Sequence, residues 1–84
     1  MKTEPEKQQI ERDAEVILTQ LKAAALLSAG QDLDRCAGYL KGKDELLVVA
    51  RFRAKKALAH LKKTGQAGFC SPTHIWYYTG HFAP

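Results

Sequence analysis

The first predicted helix is marked by a regular spacing of apolar residues near the start of the chain. Apolar side chains recur at intervals of three and four, at Ile10, Ala14, Ile17, Leu21 and Ala24. Side chains at these intervals share one face of an α-helix, so the pattern predicts an amphipathic helix. The spacing Thr3-x-x-Glu6 fits a capping box at its start. Ser28-Ala29-Gly30 breaks the pattern, so we expect the helix to end near Leu27.

Two further helices are predicted, each with an acidic candidate for the N-cap. Asp32 precedes the segment LDRCAGYLK, which Gly42 is expected to end. Asp44 is expected to cap the third helix, with Glu45 in its first turn and an end near Lys63. The apolar face of the second helix consists of Leu33, Cys36, Ala37 and Leu40.

Projected at about 100° per residue, the third helix shows a broad apolar face, two basic flanks and a narrower apolar line. The broad face consists of Leu46, Leu47, Ala50, Ala54, Ala57, Leu58 and Leu61. One flank holds Arg51, Lys55 and Lys62, and the other holds Arg53, Lys56, His60 and Lys63. The narrow line is Val48, Phe52 and Ala59. Phe52 suits neither water nor phosphate, so we expect it to be at least half covered, either by the first helix or by a second protein chain.

A small β-hairpin is predicted after the third helix. Thr64-Gly65 ends the helix, and the runs QAGFC and HIWYYT follow, separated by Ser71-Pro72-Thr73. Aromatic and β-branched residues favour strands, and Ser-Pro favours a turn. Ile75 and Tyr77 should then point to one side of the strand, and Trp76 and Tyr78 to the other. The predicted fold class is α+β, mainly α with a small hairpin, in a single domain over 1–84 whose ends, 1–5 and 80–84, are loosely held.

The charge of the chain is concentrated in its second half. The formal net charge is +4 over 84 residues, and residues 43–84 carry seven basic but only two acidic side chains. The segment from Arg51 to Lys63 has no acidic residue at all. A basic helix of this kind is typical of a surface that meets a polyanion.

Other function classes find little support in the residues. No apolar run approaches the length of a membrane span, and the acidic, polar N-terminus does not fit a signal peptide, so we expect a cytoplasmic protein without membrane contact. Cys36 and Cys70 make no disulfide framework and, with the histidines, no metal-binding spacing. The histidines are scattered along the chain and no carboxylate lies near them in sequence to orient a base, and no glycine loop fits a phosphate. We therefore expect no enzyme activity, no metal and no cofactor.

The order of helix, short helix, long basic helix and hairpin resembles the winged helix-turn-helix superfamily, in its small bacterial or phage regulator type. Residues 14–80 carry the resemblance. Leu58, Leu61 and Gly65 match the end of its recognition helix, and Tyr77-Tyr78 match the end of its wing. The resemblance implies a winged-helix-like three-helix domain with a C-terminal two-stranded wing. It also implies a sequence-specific DNA-binding transcriptional regulator whose third helix enters the major groove of double-stranded DNA.

The candidate nucleic-acid-binding residues combine the basic helix with the tip of the hairpin. Arginine and lysine contact phosphates and read guanine, so the basic side chains of the third helix are the main candidates. His74, which follows Ser71-Pro72-Thr73 at the tip of the hairpin, is added because the resemblance implies that the wing tip contacts the DNA backbone. The predicted contact residues are Arg51, Arg53, Lys55, Lys56, Lys62, Lys63 and His74.

A second interpretation, from a different class, is a small interaction protein of a phage or mobile element that binds and inhibits a host protein. The expected hairpin tip, Ser71-Pro72-Thr73 with His74, lacks the arginine or lysine usual in a wing. The line through Phe52 adds apolar surface to the basic helix. Exposed aromatic residues beside a hairpin edge suit a protein partner or a homodimer. The predicted partner or dimer surface is Val48, Phe52, Trp76 and Tyr78.

Overall fold

The computed structural model describes residues 3–82, with side chains described from Lys7 to Gly80. Three helices come first, α1 (Thr3–Ala25), α2 (Leu33–Leu40) and α3 (Leu47–Lys63). Two antiparallel strands follow, β1 (Ala67–Cys70) and β2 (Ile75–Tyr78), and then a 3₁₀ turn at Thr79–Phe82. This order confirms the predicted fold class, mainly α with a C-terminal hairpin in a winged-helix-like layout. The predicted capping box at Thr3–Glu6 lies outside the described side chains. Residues 1–2 and 83–84, which were expected to be loosely held, lie outside the described residues.

The core lies where the three helices meet, and alanine dominates it on α3. The predicted apolar faces of α1 and α2 are buried except at Ile10 and Leu33, which are partly exposed, and the face of α3 is buried from Ala50 onward. Alanine lets helix backbones approach closely, so a short chain can close a core with few large side chains. The largest fully buried side chains are Ile17 and Leu21 of α1, Cys36 of α2, and Leu58 and Leu61 of α3.

Both long helices end in the same hydrogen-bonded turn. After α3, the Gly65 N–H donates to the Lys62 carbonyl and the Gln66 N–H to the Leu61 carbonyl, with Gly65 at a φ of 79°. This is the Schellman arrangement, and it confirms Gly65 as the end signal. After α1, Ser28 takes the corresponding position at a φ of 56°. A serine here is strained relative to glycine, and the turn exposes the two residues before it, Leu26 and Leu27.

The hairpin is tied to the connection between α1 and α2 by a short β-bridge. Within the hairpin, Phe69 pairs with Trp76 and Cys70 with Ile75. The Gln31 N–H donates to the Trp76 carbonyl at 2.8 Å, and the Trp76 N–H donates to the Gln31 carbonyl at 2.8 Å. The predicted hairpin is thus confirmed, and it is held to the helices by main-chain bonds as well as by packing.

The start of α3 differs from the prediction. Asp44 does not cap the helix; the N-cap is Leu46, which supplies no side-chain hydrogen bond. Leu46 has extended backbone angles, so the helical projection that placed it on the core face does not apply. Leu46 is 68% and Leu47 47% exposed, which makes the predicted burial of both residues wrong. The Glu45 carboxylate instead accepts a hydrogen bond from the Gly42 N–H at 3.0 Å and turns toward Arg53.

Candidate nucleic-acid interface

Arg53 of α3 joins three segments of the chain from the side of the helix that faces α1. Its Nε and Nη2 donate to the two Asp13 oxygens at 3.1 and 2.7 Å. Its Nη1 donates to the Glu45 carboxylate at 2.6 and 2.7 Å, and to the Leu40 carbonyl at 3.4 Å. A guanidinium forms such paired hydrogen bonds with carboxylates because its N–H groups lie in a fixed fork. Arg53 therefore fixes α3 relative to α1 and the α2–α3 loop.

The charges around Arg53 stabilise one another. Hydrogen bonds to Asp13, and then to Glu45, raise the pKa of the Arg53 guanidinium. The hydrogen bond from Arg53, followed by that from the Gly42 N–H, lowers the pKa of the Glu45 carboxyl. Asp13 is only 3% exposed, and it also accepts a hydrogen bond from the Gln9 side chain at 3.0 Å. The guanidinium is thus already hydrogen-bonded within the protein, and the contact of Arg53 with nucleic acid stays a prediction.

Three exposed lysines on the two basic flanks of α3 form what we call the lysine face. They are Lys55, Lys62 and Lys63. All three are exposed, and none has a hydrogen-bond or ion-pair partner among the described residues. The ammonium groups of such lysines are hydrated. They can contact phosphate oxygens without first breaking a contact within the protein.

The two other basic side chains of the predicted set have partners on the surface. The Arg51 Nε lies 3.1 Å from the Asp34 carboxylate of α2, and both side chains are largely exposed. An exposed pair of this kind contributes only about 0–1 kcal/mol, so Arg51 can exchange it for another anion. The Lys56 Nζ lies 4.8 Å from the centroid of the Phe52 ring, in a cation–π contact. Lys56 is thus turned toward the apolar line of the helix.

The hairpin turn lies beside the lysine face, across a shallow groove. Lys55 and Ala59 form one wall of this groove, which measures about 400 Å³, and His74 lies on the opposite side. Its remaining walls come from Leu33, Phe69 and Trp76. His74 has a φ of 57° and is exposed, with its ring centroid 6.0 Å from that of Phe69. The structure therefore brings Lys55 and His74 to one surface, as the prediction requires of a helix and hairpin that act together.

Trp76 and Tyr78, which were predicted to belong to a partner or dimer surface, pack partly against the core, and their contact with a partner stays a prediction. Both side chains lie against the buried core and are only partly exposed. The Trp76 ring stacks at an angle on Phe69 with centroids 4.8 Å apart. A small domain uses such large side chains to close its core, because the helices alone bury too little apolar area.

The first part of α3 is apolar and exposed, and we call it the apolar half of α3. It consists of Leu46, Leu47, Val48, Val49 and Phe52. Phe52 is 60% exposed. The expectation that α1 covers it is therefore wrong, and cover by a second chain stays a prediction. A second shallow depression of about 390 Å³ along the helix is lined by Val48, Val49, Arg51, Phe52 and Lys55.

Two kinds of site have no counterpart in the part of the chain that the structure describes. Among the side chains that are described, from Lys7 to Gly80, no three histidine, cysteine or acidic groups come together in a way that could hold a metal ion. None of the helices in that range has the length and apolar content needed to cross a membrane.

The ion-pair cluster around Arg53 was missed by sequence reasoning, although one signal for it exists. Asp13 lies three residues after Ile10 and four before Ile17, on the apolar face of α1. A carboxylate at such a position needs a buried partner, and a basic residue on a neighbouring helix is the usual one. The sequence does not indicate which arginine or lysine fills that role.

No protein-family model, curated protein or solved structure matches this chain. The functional assignment therefore depends on the residues of the interface itself.

Proposed function

We propose that this protein is a small DNA-binding transcriptional regulator that places α3 in the major groove of double-stranded DNA. The observation that carries the proposal is the lysine face, three exposed lysines of α3 that have no hydrogen-bond or ion-pair partner among the described side chains. The groove of B-DNA admits an α-helix, and lysines along its sides contact phosphates.

The rigid attachment of α3 supports the same proposal. Arg53 holds the middle of the helix to α1 and to the α2–α3 loop through four hydrogen bonds to carboxylates. The helix has 17 residues, so it is about 25 Å long and can present its outer side across several base pairs. A helix fixed in this way loses little freedom when it enters the groove, so binding is not weakened by ordering it.

Base contacts are assigned to the centre of the helix. Arg51 and Lys55 flank Phe52 in the middle of the helix, where the helix would be deepest in the groove. Arg51 can leave Asp34 at small cost and donate to guanine in the paired geometry that arginine prefers. Val48, one turn before Phe52, and Phe52 itself suit contact with thymine methyl groups. His74 is placed to reach the backbone beside the groove.

The proposal is tested by fluorescence anisotropy with a labelled random-sequence duplex at low and rising salt. Wild type is expected to bind at low salt and to weaken steeply as salt rises, because phosphate contacts release counterions. The double variant Lys55→Ala/Lys62→Ala should lose most of this binding with its helical circular dichroism unchanged. The matched control is Lys7→Ala, which removes an exposed lysine of α1 and should bind like wild type. Equal binding by the double variant and wild type would exclude the lysine face.

A second candidate function is favoured by one observation, the apolar half of α3. Five apolar residues at the exposed start of a helix exceed what a domain of this size usually leaves uncovered. In this case α3 would dock on a protein, as in a phage or mobile-element protein that inhibits a host protein. The same anisotropy experiment separates the two, because this candidate predicts no duplex binding even at low salt.

A further inference from the structure

The groove between α3 and the hairpin, which we call the aromatic groove, brings ring side chains and a cation to one surface. Phe69 and Trp76 lie opposite each other in the strand register, so their rings share one face of the hairpin, and both line the groove toward α3. The centroids of the two rings are 4.8 Å apart, at an interplanar angle of 44°. The described lining residues are Leu33, Lys55, Ala59, Phe69, His74 and Trp76. None of these lining residues is acidic, so an anion meets no opposing charge there.

Closure of the core accounts for only part of this arrangement. Trp76 packs against the core, but Phe69 belongs neither to the core cluster nor to the described side chains packed against it. Phe69 is partly exposed, and its ring contacts those of Trp76 and, with centroids 6.0 Å apart, His74. The hairpin therefore presents aromatic surface beside α3 that the core does not use.

The opposite wall of the groove supplies a cation and space. Lys55 is exposed and has no hydrogen-bond or ion-pair partner among the described side chains. Ala59, one turn later on α3, is exposed and too small to fill the groove, which has a volume of about 400 Å³. Lys62 follows Lys55 about two turns later on the same basic flank of the helix. A polyanion that follows this flank therefore passes the mouth of the aromatic groove.

We propose that the aromatic groove binds one unpaired base of a nucleic-acid strand, with the phosphate of that nucleotide on the Lys55 ammonium group. Every base has a flat π-face that stacks on aromatic side chains, and proteins hold single strands by combining such side chains with cations along the backbone. The rings select a planar occupant, and Lys55 with Lys62 beyond it selects one that belongs to a polyanion. The inference extends the proposed function, because it rests on the lysines of α3 contacting phosphates. The preferred target is then DNA with an unpaired base.

Trp76 is the only tryptophan of the chain, so its fluorescence reports directly on occupancy of the groove. A short oligothymidylate is titrated into the 84-residue chain at low salt. The matched ligand is an abasic oligonucleotide of the same length, which carries the same phosphates without the bases. Oligothymidylate should quench Trp76 saturably. The abasic strand should not quench it and should bind about fivefold to a hundredfold more weakly, the range expected for one stacked base. Equal affinity for the two strands, or no quenching by oligothymidylate, overturns the proposal.

A pair of variants at one position tests the location of the site. Ala59→Leu fills the groove from an exposed position of α3, where leucine is compatible with a helix. Ala59→Ser leaves the groove open and is the matched control. We expect Ala59→Leu to keep its helical circular dichroism and lose the quenching by oligothymidylate, whereas Ala59→Ser is quenched like wild type. Equal quenching of the two variants would contradict the placement of the base in this groove.

Two further outcomes separate the inference from its neighbours. Quenching by benzoate under conditions where oligothymidylate gives none would show that the groove takes a free aromatic anion, and would overturn the proposal. Binding of a fully paired duplex without any quenching by oligothymidylate contradicts this inference and leaves the proposed function standing. Quenching by oligothymidylate without binding of the duplex supports the inference and contradicts binding in the major groove.

Discussion

The Arg53 guanidinium of α3 is hydrogen-bonded through Nε and Nη2 to both carboxylate oxygens of Asp13, forty residues earlier on α1. Asp13 is buried, whereas the Arg53 side chain is 26% exposed, so the pair lies at the edge of the core. This geometry makes the pair sensitive to the loss of either partner, because a buried carboxylate without a counter-charge is costly.

Arg53→Ala is therefore expected to destabilise the fold by on the order of 3 kcal/mol, since it leaves the Asp13 carboxylate buried without its cation. The measurement is the free energy of unfolding in a denaturant melt. Lys55→Ala, two residues away on the exposed side of α3, is the control and should change stability by less than about 0.5 kcal/mol. Equal effects of the two substitutions would mean that the Arg53–Asp13 pair does not hold the helices together.

Acid should weaken the contact between Arg53 and Glu45. The pKa of Glu45 is lower in the folded protein than its ordinary value of 4.5, so the unfolded state binds the proton more readily. The contribution of Glu45 to stability is thus complete above pH 4.5 and is lost as the pH falls through the folded pKa. Denaturant melts at falling pH should show wild type losing more stability in this acidic range than Glu45→Gln does. Parallel curves for the two proteins would contradict the assignment.

Gly30 should not tolerate a side chain, because β2 lies directly against it. A Cβ at Gly30 would overlap the Ile75 side chain and the Trp76 carbonyl oxygen. That oxygen accepts a hydrogen bond from the Gln31 N–H. We expect Gly30→Ala to cost about 1–3 kcal/mol and to loosen the bridge. Gly38→Ala is the matched control in α2, where nothing lies within 4 Å of the added carbon. That substitution should instead stabilise by about 0.5–1 kcal/mol. Melting temperatures that change in the same direction for both variants would refute this placement of β2.

The two cysteines should differ sharply in reactivity. Cys36 is fully buried, and burial, with a smaller contribution from the charge of Asp32, raises its pKa to about 12. Because the thiolate is the nucleophile, Cys36 should resist alkylation in the native protein at neutral pH. Cys70, which is partly exposed, should be alkylated in the native protein. Peptide mass spectrometry should find one alkylated cysteine in native protein and two in denaturant. Rapid native alkylation of Cys36 would show that the core is open.

The helices and the hairpin could be predicted from sequence because each carries its own local signal. Ile17 and Leu21 follow helical spacing, Asp32 is an N-cap whose side chain accepts from the Arg35 N–H at 2.7 Å, and Gly65 ends α3. The start of α3 could not be predicted, because Asp44 is as good a local cap as Asp32. The helix begins after Leu46 because Glu45 turns to accept a hydrogen bond from Arg53, eight residues later in the chain.

The candidate interface could be predicted only in part. Charge and helical projection place Lys55 and Lys62 on the outer side of α3, and the structure has them there. The same projection could not separate Arg53 from them, because its partner Asp13 is distant in sequence. The apolar groove lined by Ile75 and Tyr77 was also beyond prediction, since it forms where the end of α1 meets the hairpin.

The central claim is that α3 and the hairpin turn contact DNA, and an NMR titration of labelled protein with a short duplex tests it most directly. The account predicts amide shift changes concentrated at residues 51–63 and 71–74 at low salt, which fade as salt rises. Amides on the α1 side of the protein should be unaffected, and Lys55→Ala/Lys62→Ala should abolish the changes. Spectra that do not change at low salt, or changes confined to α1, would contradict the claim.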